Sequence, residues 1–198
     1  MMATVTVHPY IGHEIQKYLH DIAQLRIQVF HEFPYLYEGD LKYEEEYLKK
    51  FSKSPEAICV LAFDGQKVVG ASTGIPLAAE TEETKRAFLE KGLNPDDFFY
   101  FSESILLKPY RKLGIGHQFF DYRESHVKNL KRFKYICFCS VARPEDHPSK
   151  PADYFPKDKF WEKRGYKKHP ELICYFNWKD LGHETETKKP LVFWIKKL

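Results

Sequence analysis

Residues 108–119 read KPYRKLGIGHQF, and two glycines, Gly114 and Gly116, stand at the head of a segment, Ile115 to Leu130, whose remaining pattern is helical. Glycine weakens a helix interior by roughly 1 kcal/mol relative to alanine. Two of them in one turn need an offset. Either the backbone takes a conformation closed to other residues, or another molecule approaches where a side chain would stand. A strand, a glycine turn and a helix start together make an anion site, because free backbone N–H groups and the helix dipole both point at the turn. Three phosphate-binding patterns compete for it. The pattern G-x-x-x-x-G-K-[ST] is absent, and G-x-G-x-x-G fails because Phe119 stands where its third glycine belongs. R-x-x-G-x-G remains, satisfied by Arg111, Gly114 and Gly116.

A second group lies just upstream, in FFYFSESILL (98–107), where Ser102, Glu103 and Ser104 interrupt an apolar strand. Burying a carboxylate is costly, and partial desolvation moves a glutamate toward the proton affinity wanted of a general base. Glu103 shares a strand face with Ile105 and Leu107, which ties its orientation to the backbone leading into the glycine turn. A solvated or ion-paired strand residue is the plainer alternative. Two further stretches carry polar chemistry. EFPYLYEGD (32–40) holds Glu32, Tyr35, Tyr37, Glu38 and Asp40, a cluster able to attract a cationic amine, or else a solvated turn. ARPEDHPSKPADYFPKD (142–158) is long for a strand-to-helix link and holds Arg143, Asp146, His147 and Tyr154, which suits a lid over a substrate. His147 is better read as a surface histidine than as a base or ligand.

The elements that must position these groups follow from periodicity. TVTVH (4–8) alternates as a first strand, 13–33 suits one or two helices, and Pro34 with Gly39 breaks them before a helix over 41–51. In that helix Leu41, Glu44/Glu45, Leu48 and Phe51 recur at helical spacing. AICVLAF (57–63) and KVVGASTGIPL (67–77) flank Asp64-Gly65, a strong hairpin signal. A charged helix over 80–91 stops at Gly92, and a single strand covers 98–107. After the helix from 114 to about 131 come a strand over 135–142, a proline-rich loop, a short helix near 157–164, and strands over 173–178 and 191–197. HETETKK (183–189) reads as a mobile loop between the last two. The expected fold class is α/β (α+β mixed): a single mixed, mostly antiparallel β-sheet with helices on both faces, in one domain over 1–198.

Composition sets the remaining bounds. With 43% hydrophobic and 30% charged residues the chain belongs with ordinary soluble globular proteins, and a net charge of +3 is too small to argue for nucleic acid. No apolar run approaches the ~20 residues a membrane span needs, and MMATVTVHPYIGHE lacks an apolar leader. Cys59, Cys137, Cys139 and Cys174 lie in strand-like runs without C-x-x-C spacing, so buried reduced thiols and a cytoplasmic location are expected, with no metal.

The strand followed by KPYRKLGIGHQFF resembles the signature of the GNAT superfamily of acyl-CoA-dependent N-acetyltransferases. FWEKRGY (160–166) resembles that family's late F-Y-x-x-x-G-[FY] segment, and the order of elements is similar too. The resemblance implies acetyl-CoA as co-substrate. It implies that the amides of Arg111, Lys112, Leu113, Gly114, Ile115 and Gly116, with His117 beside them, cradle the pyrophosphate, and that Leu106, Leu107 and Lys108 flank the pantetheine arm. Free amides near Leu106 and Leu107 would stabilise the oxyanion. Glu103 would act as base, and Glu32, Tyr35 and Tyr37 would line the acceptor wall. The family's usual proton donor is a tyrosine where this chain has Trp161. Trp161 is expected to pack beside the cofactor arm, and the leaving thiolate either needs no acid or borrows Tyr154. Two functions follow: an N-acetyltransferase acting on an amine by direct attack on the thioester, or a non-catalytic acyl-CoA sensor on the same fold. Neither needs nucleic acid or membrane; the unit would be a monomer or homodimer.

Overall fold

The computed structural model describes residues 5–198. Thr4, placed in the first strand by its alternation, lies outside them. Eight strands form one sheet: β1 (Val5–Ile11), β2 (Ile58–Asp64), β3 (Lys67–Pro76), β4 (Phe98–Tyr100), β5 (Ser104–Leu106), β6 (Tyr135–Val141), β7 (Lys167–Lys179) and β8 (Glu186–Lys197). Their order is β1-β2-β3-β4-β6-β8-β7, with β5 also on β3, and all pairs are antiparallel except β4 with β6. Five α-helices accompany them: α1 (Leu19–Phe30), α2 (Leu41–Lys53), α3 (Glu82–Leu89), α4 (Ile115–Leu130) and α5 (Asp158–Lys163).

Both faces of the sheet are covered. Phe98 meets Phe88 of α3 at 4.8 Å between ring centroids, whereas its neighbour Phe99 meets His126 of α4 at 5.9 Å. Successive strand residues point to opposite faces, so α3 and α4 lie on opposite sides. The central strands β2 and β3 are buried almost throughout, which is why they read as unbroken apolar runs. Asp64 and Lys67 close the hairpin between them, with Gly65 at φ +60° in the turn. The 13–33 segment is a 3-10 helix over Gly12–Tyr18 followed by α1. Asp40 caps α2 by accepting from the Tyr43 N–H at 2.8 Å. Among the described residues no helix is long and apolar enough to cross a membrane.

Two expectations change. The strand over 98–107 is in fact two strands: β4 pairs with β6, and β5 pairs with β3 alone. The expected loop at 183–189 is largely strand, because β8 begins at Glu186 and β7 already at Lys167. Apolar periodicity marked only the buried half of this hairpin. Its outer half carries mostly polar residues around the buried Trp178, and its backbone ladder runs from Trp178 opposite Thr187 to Lys179 opposite Glu186.

Candidate functional site

The division of 98–107 opens a gap. The Phe101 N–H still donates to Cys137 O, but no β5 residue pairs with β6, so the chain splays from β6 beyond that point. Where it splays, Thr73 of β3 serves two residues: its O accepts from Ser102 N and its N–H donates to Glu103 O, both at 3.1 Å. Two residues against one is a β-bulge, which interrupts the period-2 alternation. Ser102 and Glu103 then both reach buried polar groups: Ser102 Oγ donates to Oε1 of Glu80, itself the partner of Lys50 of α2, while Glu103 meets Arg26 of α1. Beyond the bulge, Leu107 N donates to Val69 O at 3.0 Å. The expectation of a free amide at Leu107 is thereby corrected. By antiparallel alternation it is the N–H groups of Ser104 and Leu106 that face the gap.

Glu103 is 6% exposed and is not an isolated carboxylate. Its Oε2 accepts from Arg26 Nη1 at 2.6 Å, while Oε1 is buried with no hydrogen-bond partner among the described residues. Arg26 also donates to Glu44 of α2, itself 1% exposed. Burial works against the Arg26 charge, but Glu103 and then Glu44 overcome it and hold the guanidinium above its ordinary value. A buried charge needs such partners. Arg26 also stacks over Tyr47 at 4.6 Å and Phe30 at 4.9 Å. A second buried pair adjoins it. Lys50 donates to Glu80 at 2.7 Å, and burial pulls its amine below the usual lysine range despite that partner.

The glycine turn resolves into two different answers. Gly114 has φ +80° and serves as N-cap of α4, a conformation L side chains rarely adopt, so it is fixed by the turn itself. Lys112, at φ +67°, shares the strain. Gly116 has no such need: a Cβ there would meet only Phe160 Cζ, at 4.0 Å. Neither backbone nor packing demands a glycine at 116. No side chain caps α4 and no acid stands in its first turn, unlike α2 and α3, whose first turns hold Glu44 and Glu82. The first donors to Gly114 O are His117 and Gln118, which leaves the N–H groups of Ile115 and Gly116 among the unsatisfied donors of a helix start. Lys108, Lys112 and His117 are exposed around the turn, Leu113 is 58% exposed, and Ile115 anchors the helix in the core. The rings of His117 and Phe160 lie 4.9 Å apart and form one wall.

Arg111 does not point its side chain at the turn. Its guanidinium forks onto Glu32 at 2.7 and 2.8 Å, and its Nε donates to Leu106 O at 2.9 Å. Glu32 is therefore joined to the glycine turn rather than to Glu103. Tyr35 and Tyr37 lie nearer the buried carboxylates. Burial raises both phenols; Glu44 adds to the rise at Tyr37 and Glu103 to that at Tyr35. The backbone carrying them is held by Arg143, which donates to Pro34 O and Tyr35 O at 2.8 Å and pairs with Asp180 at 2.8 Å. Trp178 Nε1 donates to Tyr35 O as well.

This lock has a measurable pH signature. Burial alone would raise the Asp180 carboxyl, but Arg143 and then Lys189 hold it below its ordinary value of 3.8. A depressed native value means that the stabilisation is complete above about pH 4 and is lost as pH falls through the native value. Asp180→Asn should remove that part of the acid limb in urea unfolding followed against pH. Arg143→Ala, which leaves Pro34 O without its donor and Asp180 with only Lys189 and Trp178 as partners, should cost about 3 kcal/mol by the same measurement.

Tyr154 lies edge-on to Phe33 at 4.7 Å, so the 142–158 loop packs over the turn that carries Tyr35. Burial and then Asp158 raise its phenol above the ordinary value. Trp161 of α5 packs against Phe138 at 5.0 Å and Trp194 at 5.1 Å. His147 sits on Phe33 at 5.6 Å. Among the described residues no group of three or more His, Cys, Asp or Glu could hold a metal ion.

No family model matches the chain, and no curated protein does. Solved structures do. Arabidopsis thaliana NAA60, in complex with a bisubstrate analogue, matches with TM-score 0.59 at 12% identity, covering 98% of this chain and 99% of its own. Ribosomal-protein-alanine N-acetyltransferase from Brucella melitensis gives 0.59 at 12% over 96% and 99%. An acetyltransferase of the GNAT family from Streptococcus pneumoniae gives 0.58 at 11% over 98% and 100%. At such identities the likeness is one of fold: the chain has the fold of GNAT acetyltransferases over nearly its whole length.

Proposed function

We propose that the chain is an N-acetyltransferase that binds acetyl-CoA across the turn at 111–116 and transfers the acetyl group to an amine entering from the side of Tyr35, Tyr37 and Glu103. The observation that carries this reading is Gly116. It lies on an uncapped, acid-free helix start beside the splay, where a Cβ would find open space, and an approaching ligand would account for the missing side chain. Backbone N–H groups of that turn suit a pyrophosphate, which needs donors and no nearby carboxylate. The gap between β5 and β6 offers Ser104 and Leu106 N–H groups at the height of the bulge, where an acyl oxygen gains negative charge. Glu103 lies next to Ser104 on the same segment, and its Oε1, buried and without a hydrogen-bond partner among the described residues, would take the proton from the amine once a substrate or a water reaches it.

A second reading, a sensor that binds acyl-CoA without turnover, is favoured by Trp161 in the usual tyrosine position and by the Arg26 pairing of Glu103. Thiol release from acetyl-CoA with a panel of amines separates the two. Release above the uncatalysed rate with at least one amine is expected; binding without release to any of them would favour the sensor.

The leaving thiolate is expected to need no side-chain acid. A CoA thiol resembles free cysteine, with a value of about 8.5, and a phenol raised above 10 is a poor donor to it. Tyr154→Phe should therefore leave kcat within about threefold of the parent. A loss of ~10-fold with unchanged KM for acetyl-CoA would instead assign Tyr154 the donor role.

A further inference from the structure

Arg123 of α4 is 1% exposed, and among the described residues no carboxylate lies within salt-bridge distance of its guanidinium. A buried arginine normally pairs with an acid, because its desolvation is otherwise uncompensated. Here every partner is neutral. Nε donates to Phe119 O at 3.2 Å, Nη1 to Thr73 O at 3.0 Å and Glu103 O at 3.1 Å, and Nη2 to Ser104 Oγ at 2.7 Å. Three of these four acceptors belong to the bulge and the residue that follows it. The guanidinium also stacks over Phe101 at 4.1 Å. The guanidinium thus holds the carbonyls of the bulge and brings a positive charge to the Ser104 hydroxyl.

Ser104 is the only one of these partners that reaches solvent. It is exposed, its N–H faces the gap beside that of Leu106, and its oxygen is occupied by Arg123. A hydroxyl whose oxygen accepts from a cation has its own hydrogen left to donate, and donates more strongly for it.

We propose that Ser104 donates a hydrogen bond to the thioester carbonyl oxygen and that the buried charge of Arg123 supports it, so that the two form an electrostatic element for the oxyanion in addition to the backbone N–H groups. This rests on the acetyl-CoA reading of the gap. The amine lone pair forms the new C–N bond and the C=O π pair moves onto oxygen. That oxyanion then reforms C=O as the C–S bond breaks and the sulfur leaves with its electron pair. Ser104 keeps its proton throughout, and the amine proton goes to the base. Ser104 is thus a catalytic residue and Arg123 a positioning residue. Burial pulls the Arg123 guanidinium down to about 10, which still leaves it charged at neutral pH.

The test needs no identified acceptor. Isotope-edited infrared spectra of [1-13C]acetyl-CoA bound to the full chain report carbonyl polarisation, and calorimetry on the same samples reports affinity. The parent should shift the carbonyl band below its position in water. Ser104→Ala should return it toward that position with affinity within about threefold, and Ser104→Thr, which keeps the hydroxyl, should preserve the shift. Arg123→Lys, which shortens the reach to Ser104, should lose part of the shift while a melting curve shows it folded. With an amine that turns over, Ser104→Ala should lower kcat by ~10²-fold, the usual loss for one oxyanion donor. An identical band in parent and Ser104→Ala, with acetyl-CoA bound to both, would overturn this inference alone. A parent that binds no acetyl-CoA would overturn the reading of the gap and this inference with it.

Discussion

Gly116→Asp is expected to lower acetyl-CoA affinity by ~10²-fold or more while the chain remains folded. A Cβ at 116 meets only Phe160 Cζ at 4.0 Å, so the protein has room for the side chain. The backbone there is ordinary helix, and an acid in a first turn is favourable to the free helix. The same carboxylate would face phosphate, and like charges in contact cost several kcal/mol. Gly116→Ala sharpens the result. It should raise stability by roughly 0.4–1 kcal/mol, because alanine has less backbone freedom to lose, and yet weaken binding by crowding the ligand. Gain of stability with loss of affinity is what a glycine kept for a ligand predicts. Unchanged affinity in both variants would remove the turn from the site.

Glu103→Gln is expected to lower turnover at neutral pH by ~10²-fold or more, the usual scale for loss of a general base. The structure adds a complication, because Glu103 also balances Arg26. The amide keeps the shape and can still accept from Arg26 Nη1, and Glu44 remains as the ionic partner of Arg26. The variant should therefore fold, with acetyl-CoA affinity close to that of the parent. A parental rate and pH profile in this variant would assign proton removal to solvent. A rate lost together with acetyl-CoA binding would show that Glu103 matters only as part of the buried network.

What the sequence disclosed and what it hid have separate physical causes. The glycine turn was legible because glycines at a helix start are costly, and the mixed sheet because its buried strands and helices keep their periods. The bulge was not. FFYFSESILL reads as one strand, and only the hydrogen bonds of Thr73 show that Ser102 and Glu103 oppose a single residue. The pairing of the buried charges was also missed, although each charge left a trace. Arg26 falls between Ile22 and Phe30, Glu44 four residues before Leu48, and Arg123 between Phe119 and Val127, all at i, i+4 spacing on apolar helix faces. A charge inside an apolar stripe points to a buried partner, but the partner lies on another element. Arg26 and Glu103 are 77 residues apart, and no local pattern joins them. Arg143 and Asp180 were hidden for the same reason, being 37 residues apart on a loop and at a hairpin end.

The proposed function turns on acetyl-CoA binding at residues 111–116, and titration calorimetry of the unmodified chain with acetyl-CoA tests that most directly. The account predicts saturable binding of one acetyl-CoA per chain, displaced by CoA and weakened in Gly116→Asp. Absence of binding at millimolar acetyl-CoA, or binding that Gly116→Asp leaves unchanged, would contradict it.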